Sequence, residues 1–172
     1  MIHIVLFEPE IPGNTGNIFR TAMATGCVVD LIEPLGFSLE DKYLRRSGMD
    51  YIRDCTYYRH SSWEEFEKTV TGPMVFLTRY GKRPPSAHDF RDTGQDLYLV
   101  FGKESTGVDK HILKQHLNDC LRLPMVSGAR SLNLSNTVAV TVYEVLRQRE
   151  YQGLSRSEQL KGESFLEDLE LD

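Results

Sequence analysis

Five short apolar segments, each bounded by turn-forming residues, recur along the 172-residue chain. Their length and their content of Val, Ile, Leu and Phe are typical of strands that are buried on both faces. Segments with helical patterns separate several of them, which predicts an α/β domain: a parallel sheet with helices on both faces. The predicted strands are residues 2–7, 28–33, 74–78, 97–101 and 121–124, and the predicted helices are residues 15–25, 62–70 and 109–117.

A sixth apolar segment, residues 137–146, fits two patterns. Val138, Val140 and Val142 alternate as they would in a strand, whereas Val138, Val142 and Val145 would share one face of a helix. A Ser-Asn pair precedes the segment, as is common where helices begin, and charged residues follow it. These flanks favour a helix of about four turns.

Three polar loops follow predicted strands, at residues 13–17, 102–107 and 130–136. Small polar side chains at such junctions can bond to the backbone or to a ligand. Ligands of parallel sheets bind beyond the carboxyl ends of the strands. We therefore expect the three loops to share one ligand site.

The first predicted helix has two distinct faces. Ile18, Phe19, Ala22 and Met23 form an apolar stripe that should bury against the sheet. The other face carries Asn17, Arg20, Thr21 and Ala24. Asn17 and Arg20 would project together near the start of the helix, where an anion or a developing negative charge is favoured.

Charge is distributed unevenly along the chain. The net charge is −5, but residues 157–172 hold six acidic residues against Lys161, which leaves a body with 19 basic and 19 acidic residues. Cations cluster twice in that body, either as ordinary solvated charge or as a surface for a phosphate-rich partner. The clusters are Lys42, Arg45, Arg46, Arg53 and Arg59, and then Arg79, Lys82 and Arg83.

Several classes of protein are not indicated. No apolar run approaches the roughly 20 residues that span a bilayer, so we expect no membrane partner. Cys27, Cys55 and Cys120 are scattered and odd in number, which favours reduced thiols and a cytoplasmic location. His111 and His116 lack metal-ligand spacing, so we expect no metal.

The common nucleotide-binding motifs are also missing. Leu97 stands where a phosphate-binding loop that ends at Gly102-Lys103 needs its first glycine. The loop at residues 13–16 is not GxGxxG, and no GxSxG elbow occurs.

In combination, the polar loops resemble the three motifs of the SPOUT superfamily. Within it, the chain is similar to the small tRNA 2′-O-methyltransferases that modify the wobble nucleotide. The resemblance covers residues 1–153 as one methyltransferase domain and leaves residues 154–172 as an acidic tail. It departs at Gly13, where proline is frequent, and at Ala129, where a longer polar residue is common. The motifs lie in residues 8–12, 14–22, 44–51, 101–107, 123–125 and 131–136.

The resemblance implies a fold and a cofactor. The family's parallel sheet ends in a C-terminal trefoil knot, a rare exception to unknotted topology. The family binds S-adenosylmethionine in that knot and acts as a homodimer. Members of this subgroup lack the additional RNA-binding domain of larger relatives. The residues that match the family's cofactor contacts are Thr78, Gly102, Leu123 and Ser131, with Asn133 close by.

The resemblance also implies catalytic residues. The arginine that matches Arg20 assists departure of the proton from the ribose 2′-hydroxyl. A guanidinium gives up its own proton only with great difficulty, so we favour stabilisation of the nascent alkoxide or a clamp on the adjacent phosphate over base catalysis. Asn17 would orient Arg20 or the ribose. Glu104 would either cap the helix that follows it or reach the substrate.

The predicted substrate is the anticodon stem-loop of tRNA, with Lys42, Arg45 and Arg46 near its phosphates. Tyr143 is expected in the dimer core or, alternatively, at the RNA. Three rival functions stay open at this point: methylation of another RNA such as rRNA, a non-catalytic module that binds RNA or cofactor, and an unrelated flavodoxin-like nucleotide-binding domain. The sequence does not decide which tRNA or which wobble base is modified.

Overall fold

The computed structural model describes residues 1–39 and 54–169. Six parallel strands form one sheet in the order β3-β2-β1-β5-β4-β6. The strands are β1 (Ile2–Phe7), β2 (Val28–Ile32), β3 (Tyr57–His60), β4 (Met74–Leu77), β5 (Leu97–Phe101) and β6 (Cys120–Leu121). The helices are α1 (Pro12–Thr25), α2 (Trp63–Glu67), α3 (Lys110–Gln115) and α4 (Leu134–Gln148).

Helices α1 and α4 cover one face of the sheet and pack against each other. Ile18 and Phe19 of α1, and Val138 and Val142 of α4, are fully buried. The predicted burial of Met23 was wrong, because its side chain is 40% exposed. Met23 lies about 140° around the helix from Ile18, which is beyond the stripe that reaches the sheet.

Helices α2 and α3 cover the other face, so the predicted α/β architecture with helices on both faces is confirmed. A buried carboxylate on this face, that of Asp30, joins three strands. Asp30 of β2 accepts hydrogen bonds at 2.7 Å from the His3 ring of β1 and at 2.7 Å from the His60 ring of β3. These contacts satisfy a carboxylate that is only 2% exposed and fix three neighbouring strands together.

Most strand predictions were confirmed with small shifts of their ends. The predicted strands at residues 2–7 and 97–101 match β1 and β5, whereas β6 is shorter than residues 121–124. Strand β3 was not predicted. It lies at the edge of the sheet, where a strand with exposed Tyr58 and Arg59 side chains can pair without forming an apolar run.

Two helix predictions changed at their starts. Segment 137–146 is helical as favoured, but α4 is longer, with 15 residues from Leu134. Helix α1 begins at Pro12, so the polar segment 13–17 forms its first turns and is not a loop. Pro12 occupies the first turn, where its missing N–H costs nothing.

The three cysteines are buried and unpaired. Burial raises the pKa of each thiol, that of Cys55 to about 11, so all three stay protonated near neutral pH and serve packing. After α4, residues 154–169 form turns without a helix or strand, and Leu160 is 97% exposed. In the two ranges that the structure describes, no helix is both long and apolar enough to cross a membrane.

Candidate active site

A cleft of about 790 Å³ opens at the carboxyl ends of β4, β5 and β6. Its lining includes all five residues that were predicted to contact a cofactor: Thr78, Gly102, Leu123, Ser131 and Asn133. Apolar side chains such as Leu77 and Leu134 alternate with these polar groups. A concave site of this size that combines apolar surface with polar groups is typical of a small-molecule site.

Glu104 joins the loop after β5 to the start of α1. Its carboxylate accepts hydrogen bonds from the backbone N–H of Glu10 at 2.9 Å and of Ile11 at 3.3 Å. It also accepts one from the Asn14 side chain at 2.9 Å. Because Ile11, the N-cap of α1, offers no side-chain cap, Glu104 supplies the anionic acceptor that a helix N-terminus favours. Glu104 therefore caps α1 and not the helix that follows it.

Two further contacts hold the same pair of loops together. Ser105 donates from its hydroxyl to Glu10 at 2.8 Å and from its backbone N–H at 2.9 Å. These hydrogen bonds lower the pKa of Glu10. Lys103 lies 2.6 Å from Glu8, and this hydrogen bond raises the pKa of Lys103. The strands that precede the two loops are neighbours in the sheet, and the side chains extend that pairing beyond the strand ends.

Asn14 extends this network to the third loop. Its side-chain oxygen accepts a hydrogen bond from Asn133 at 2.9 Å. The Asn133 oxygen in turn accepts from the backbone of Ser135 at 2.9 Å and of Asn136 at 3.3 Å, which caps α4. Glu104, Asn14 and Asn133 thus connect the three polar segments, as expected from their positions after strands.

Two glycines allow the backbone to pass closely around the cleft. A Cβ atom at Gly102 would lie 2.3 Å from backbone atoms of Gly107 and Val108. A Cβ atom at Gly81 would lie 2.3 Å from the backbone of Leu121. Since any side chain would displace backbone atoms there, both positions require glycine.

The predicted catalytic pair lies elsewhere. Asn17 and Arg20 line a groove of about 320 Å³ between α1 and α4, together with Ser135, Asn136 and Tyr143. In residues 1–39 and 54–169, the linings of cleft and groove share no residue. The two helices contribute to both, with Asn14 and Asn133 towards the cleft and Arg20 and Tyr143 towards the groove.

The predicted RNA contacts Lys42, Arg45 and Arg46 lie outside the described residues. Arg59, from the same cluster, forms an ion pair with Glu33 on the sheet edge. Of the second cluster, Arg79 lines the cleft and Arg83 donates to the backbone of Asn118. Lys110, Arg122 and Arg130 also line the cleft.

Sequence reasoning assigned no role to Asn14 or Tyr80. Asn14 is 7% exposed, and both ends of its amide are used. Its partners are 90 and 119 residues away in sequence, so no local pattern signals the role. Tyr80 lies next to Arg79 in a cationic segment, and that aromatic-cation pair was an available signal.

Comparison with known proteins shows the family to which this chain is similar. Residues 1–143 match the model of the SpoU rRNA Methylase family. A Polaromonas protein named tRNA (cytidine(34)-2′-O)-methyltransferase is 45% identical over 157 residues, covering 89% of this chain and 94% of its own. A Geobacillus stearothermophilus protein provisionally given the same name is 46% identical over 155 residues, covering 90% and 99%. A solved structure described as concerning 2-OH methylation of C/U34 on tRNA has a TM-score of 0.80 at 36% identity, covering 88% and 98%.

Proposed function

The chain belongs to the SpoU rRNA methylase family, and on that premise we propose that it methylates the 2′-hydroxyl of the wobble ribose, nucleotide 34, of tRNA. The observation that carries the proposal is similarity along nearly the whole chain to enzymes named for this reaction on cytidine 34. The nucleotide is cytidine or a modified uridine. S-Adenosylmethionine is the methyl donor.

The cleft fits this cofactor. Leu77 and Leu123 offer apolar surface, and Thr78, Ser131 and Asn133 offer hydrogen-bonding groups. The backbone crowding at Gly102 leaves no room for a side chain at that position, so backbone atoms form the wall there. When bound, the cofactor supplies a methyl group on a positively charged sulfur. The protein holds it and orients it towards the acceptor oxygen.

We also propose the trefoil knot of the superfamily. Two segments that are distant in sequence pair side by side next to the cleft. Thr78 donates its backbone N–H to Leu121 at 2.9 Å, and Arg122 donates its backbone N–H to Arg83 at 2.9 Å. The tight passage of Gly81 against Leu121 supports threading of the chain here.

Arg20 is the proposed catalytic residue. As the ribose hydroxyl attacks, its oxygen gains negative charge, and a fixed guanidinium beside it lowers the free energy of that state. Asn17 lies one helical turn before Arg20 in the same groove and is the proposed orienting residue. The proton leaves to solvent, because the guanidinium is already protonated and has no acceptor site for it.

Since Arg20 does not line the cleft of its own chain, we propose that a homodimer completes the site. Met23 of α1 and Val140 and Tyr143 of α4 are 40–52% exposed beside the groove, an apolar surface suited to a second copy. A two-fold interface over this surface places the groove of one protomer near the cleft of its partner. Tyr143 is then a dimer-core residue.

Residues 1–153 are the proposed methyltransferase domain, and residues 154–172 are a separate acidic tail. Tyr151 and Leu154 pack against the core, whereas most later side chains are exposed. The proposed location is the cytoplasm, with no metal in the reaction.

The function is tested with labelled S-adenosylmethionine and an anticodon stem-loop RNA. We expect methyl incorporation into RNA with cytidine or uridine at position 34. A matched RNA with a 2′-deoxy nucleotide at position 34 should receive none, because it lacks the acceptor oxygen. Incorporation into the deoxy RNA, or into rRNA fragments alone, would contradict the proposal. Absence of transfer with cofactor binding retained would favour a non-catalytic module.

Lys42, Arg45 and Arg46 are the proposed phosphate contacts. Replacing Arg45 and Arg46 by alanine should flatten the plot of log affinity for tRNA against log salt, by about one unit of slope for each phosphate that is no longer neutralised. The matched control is Lys68→Ala with Arg91→Ala, since both cations are exposed and paired with nearby carboxylates. An unchanged slope for the Arg45/Arg46 variant would mean that these two arginines are ordinary surface charge and do not contact phosphates of the tRNA.

A further inference from the structure

An exposed tyrosine lies at the mouth of the cleft. Tyr80 follows β4 by three residues, lines the cleft and is 57% exposed. We propose that Tyr80, flanked by Lys110 and Arg79, is a stacking platform for an unpaired anticodon-loop base next to the target nucleotide. This inference rests on the proposed function and adds a substrate-recognition residue to it.

The platform has cations close to its ring. The Lys110 Nζ lies 5.3 Å from the ring centroid, and the Arg79 Cζ lies 5.9 Å from it. Both distances are within the range of cation–π attraction. Lys110 is held by hydrogen bonds to the backbone carbonyls of Thr106 at 2.8 Å and Val108 at 3.2 Å. Its ammonium is therefore positioned before any partner binds.

The backbone beneath the ring is fixed as well. Tyr80 donates its N–H to the Thr78 hydroxyl at 3.3 Å, and Gly81 donates to the Thr78 carbonyl at 3.3 Å. Gly81 passes against Leu121 with no room for a Cβ. Because the turn is constrained on both sides, binding a base to the ring orders little additional chain.

The charge around the platform favours a polyanion. We give the name basic rim to six cations: Arg79, Lys110, Arg122 and Arg130, which line the cleft, and Lys82 and Arg83, which follow Arg79 closely in sequence. None of the six forms an ion pair with a carboxylate in residues 1–39 and 54–169, whereas Lys68, Arg91 and Arg147 are paired on other surfaces. An exposed aromatic ring among uncompensated cations matches the way proteins bind single-stranded RNA, with bases on rings and phosphates on cations.

The test compares Tyr80→Phe, which keeps the ring, with Tyr80→Leu, which removes it. On a stem-loop substrate, Tyr80→Leu should lower kcat/KM about tenfold and Tyr80→Phe should stay within about twofold of wild type. The control is Tyr58→Leu, since Tyr58 is 53% exposed on β3 at the opposite edge of the sheet. Calorimetry with S-adenosylmethionine should give unchanged affinity for all variants.

A second readout identifies the base directly. Stem-loops with 5-iodouridine at position 33 or 35 should photocrosslink to Tyr80 in the wild type, and Tyr80→Leu should lose the crosslink. Equal kcat/KM and equal crosslinking of wild type and Tyr80→Leu would overturn the platform while leaving the proposed function in place. Weakened cofactor affinity in Tyr80→Leu would overturn it too, because the ring would then serve the cofactor. Crosslinking without methyl transfer would support the platform and refute the reaction.

Discussion

Replacement of Arg20 by alanine is expected to lower kcat by at least about 100-fold, because the developing alkoxide loses its fixed positive charge. Arg20 is exposed on α1 and contributes nothing to the apolar core, so the fold should be retained. Cofactor affinity should also be unchanged, since Arg20 does not line the cleft. The measurements are single-turnover methyl transfer, calorimetry with S-adenosylmethionine and the midpoint of thermal unfolding.

The matched control for Arg20→Ala is Arg91→Ala, which removes an exposed arginine paired with Asp89 away from both sites. Retention of activity within about tenfold of wild type would remove Arg20 from the chemistry. Arg20→Lys separates charge from geometry, because lysine keeps the charge but lacks the planar fork of donors.

The Arg20 variant also tests whether the site spans two protomers. Its partner is Ser131→Trp, which fills the cleft from an exposed loop and should block cofactor binding. Mixed after unfolding and refolding together, the two inactive variants should recover roughly a quarter of wild-type activity, because half of the dimers pair unlike chains and each has one intact site of two. No recovery would mean that each site is built from a single chain.

Replacement of Glu104 by alanine is expected to lower the free energy of unfolding by about 2–4 kcal/mol. The change leaves two backbone N–H groups at the start of α1 without their acceptor, and it removes the partner of the buried Asn14 amide. Urea unfolding at neutral pH measures the effect. Glu65→Ala, on the exposed surface of α2, is the control and should change stability by no more than about 0.5 kcal/mol.

The same variant decides between the cap on α1 and a contact of Glu104 with the substrate. A structural cap predicts a loss of stability and weaker cofactor binding together, since the network continues through Asn14 to Asn133 at the cleft. A contact with substrate predicts a raised KM for RNA at unchanged stability. The second outcome would refute the capping role.

Most of the sheet could be predicted because its inner strands are buried on both faces and are therefore mostly apolar. Strand β1, with all six residues buried, shows this pattern clearly. Strand β3 could not be predicted in the same way. Its polar side chains are tolerated because it lies at an edge and because His60 finds the buried carboxylate of Asp30. That partner lies 30 residues away, beyond the reach of any local window.

The convergence of the polar segments was also predictable, because parallel strands send their carboxyl ends to one edge of the sheet. The hydrogen bonds that join these segments to one another were not predictable. Pro12 indicated that the helix begins before residue 15, because proline is frequent in the first turn of helices. The cap from Glu104 could not be predicted from the sequence, since Glu104 lies in a loop more than 90 residues later. The separation of Arg20 from the cleft likewise depends on how α1 packs against α4.

The cap at α1 has a geometric consequence for Arg20. Each residue of an α-helix advances the side-chain direction by about 100°, so a shift of α1 by one residue relative to the sheet would swing Arg20 by that angle. Glu104 holds the Glu10 and Ile11 amides, and together with the burial of Ile18 and Phe19 this helps to fix the orientation of α1. A carboxylate in the loop after β5 thus contributes to the direction in which Arg20 projects, ten residues along the chain from Glu10.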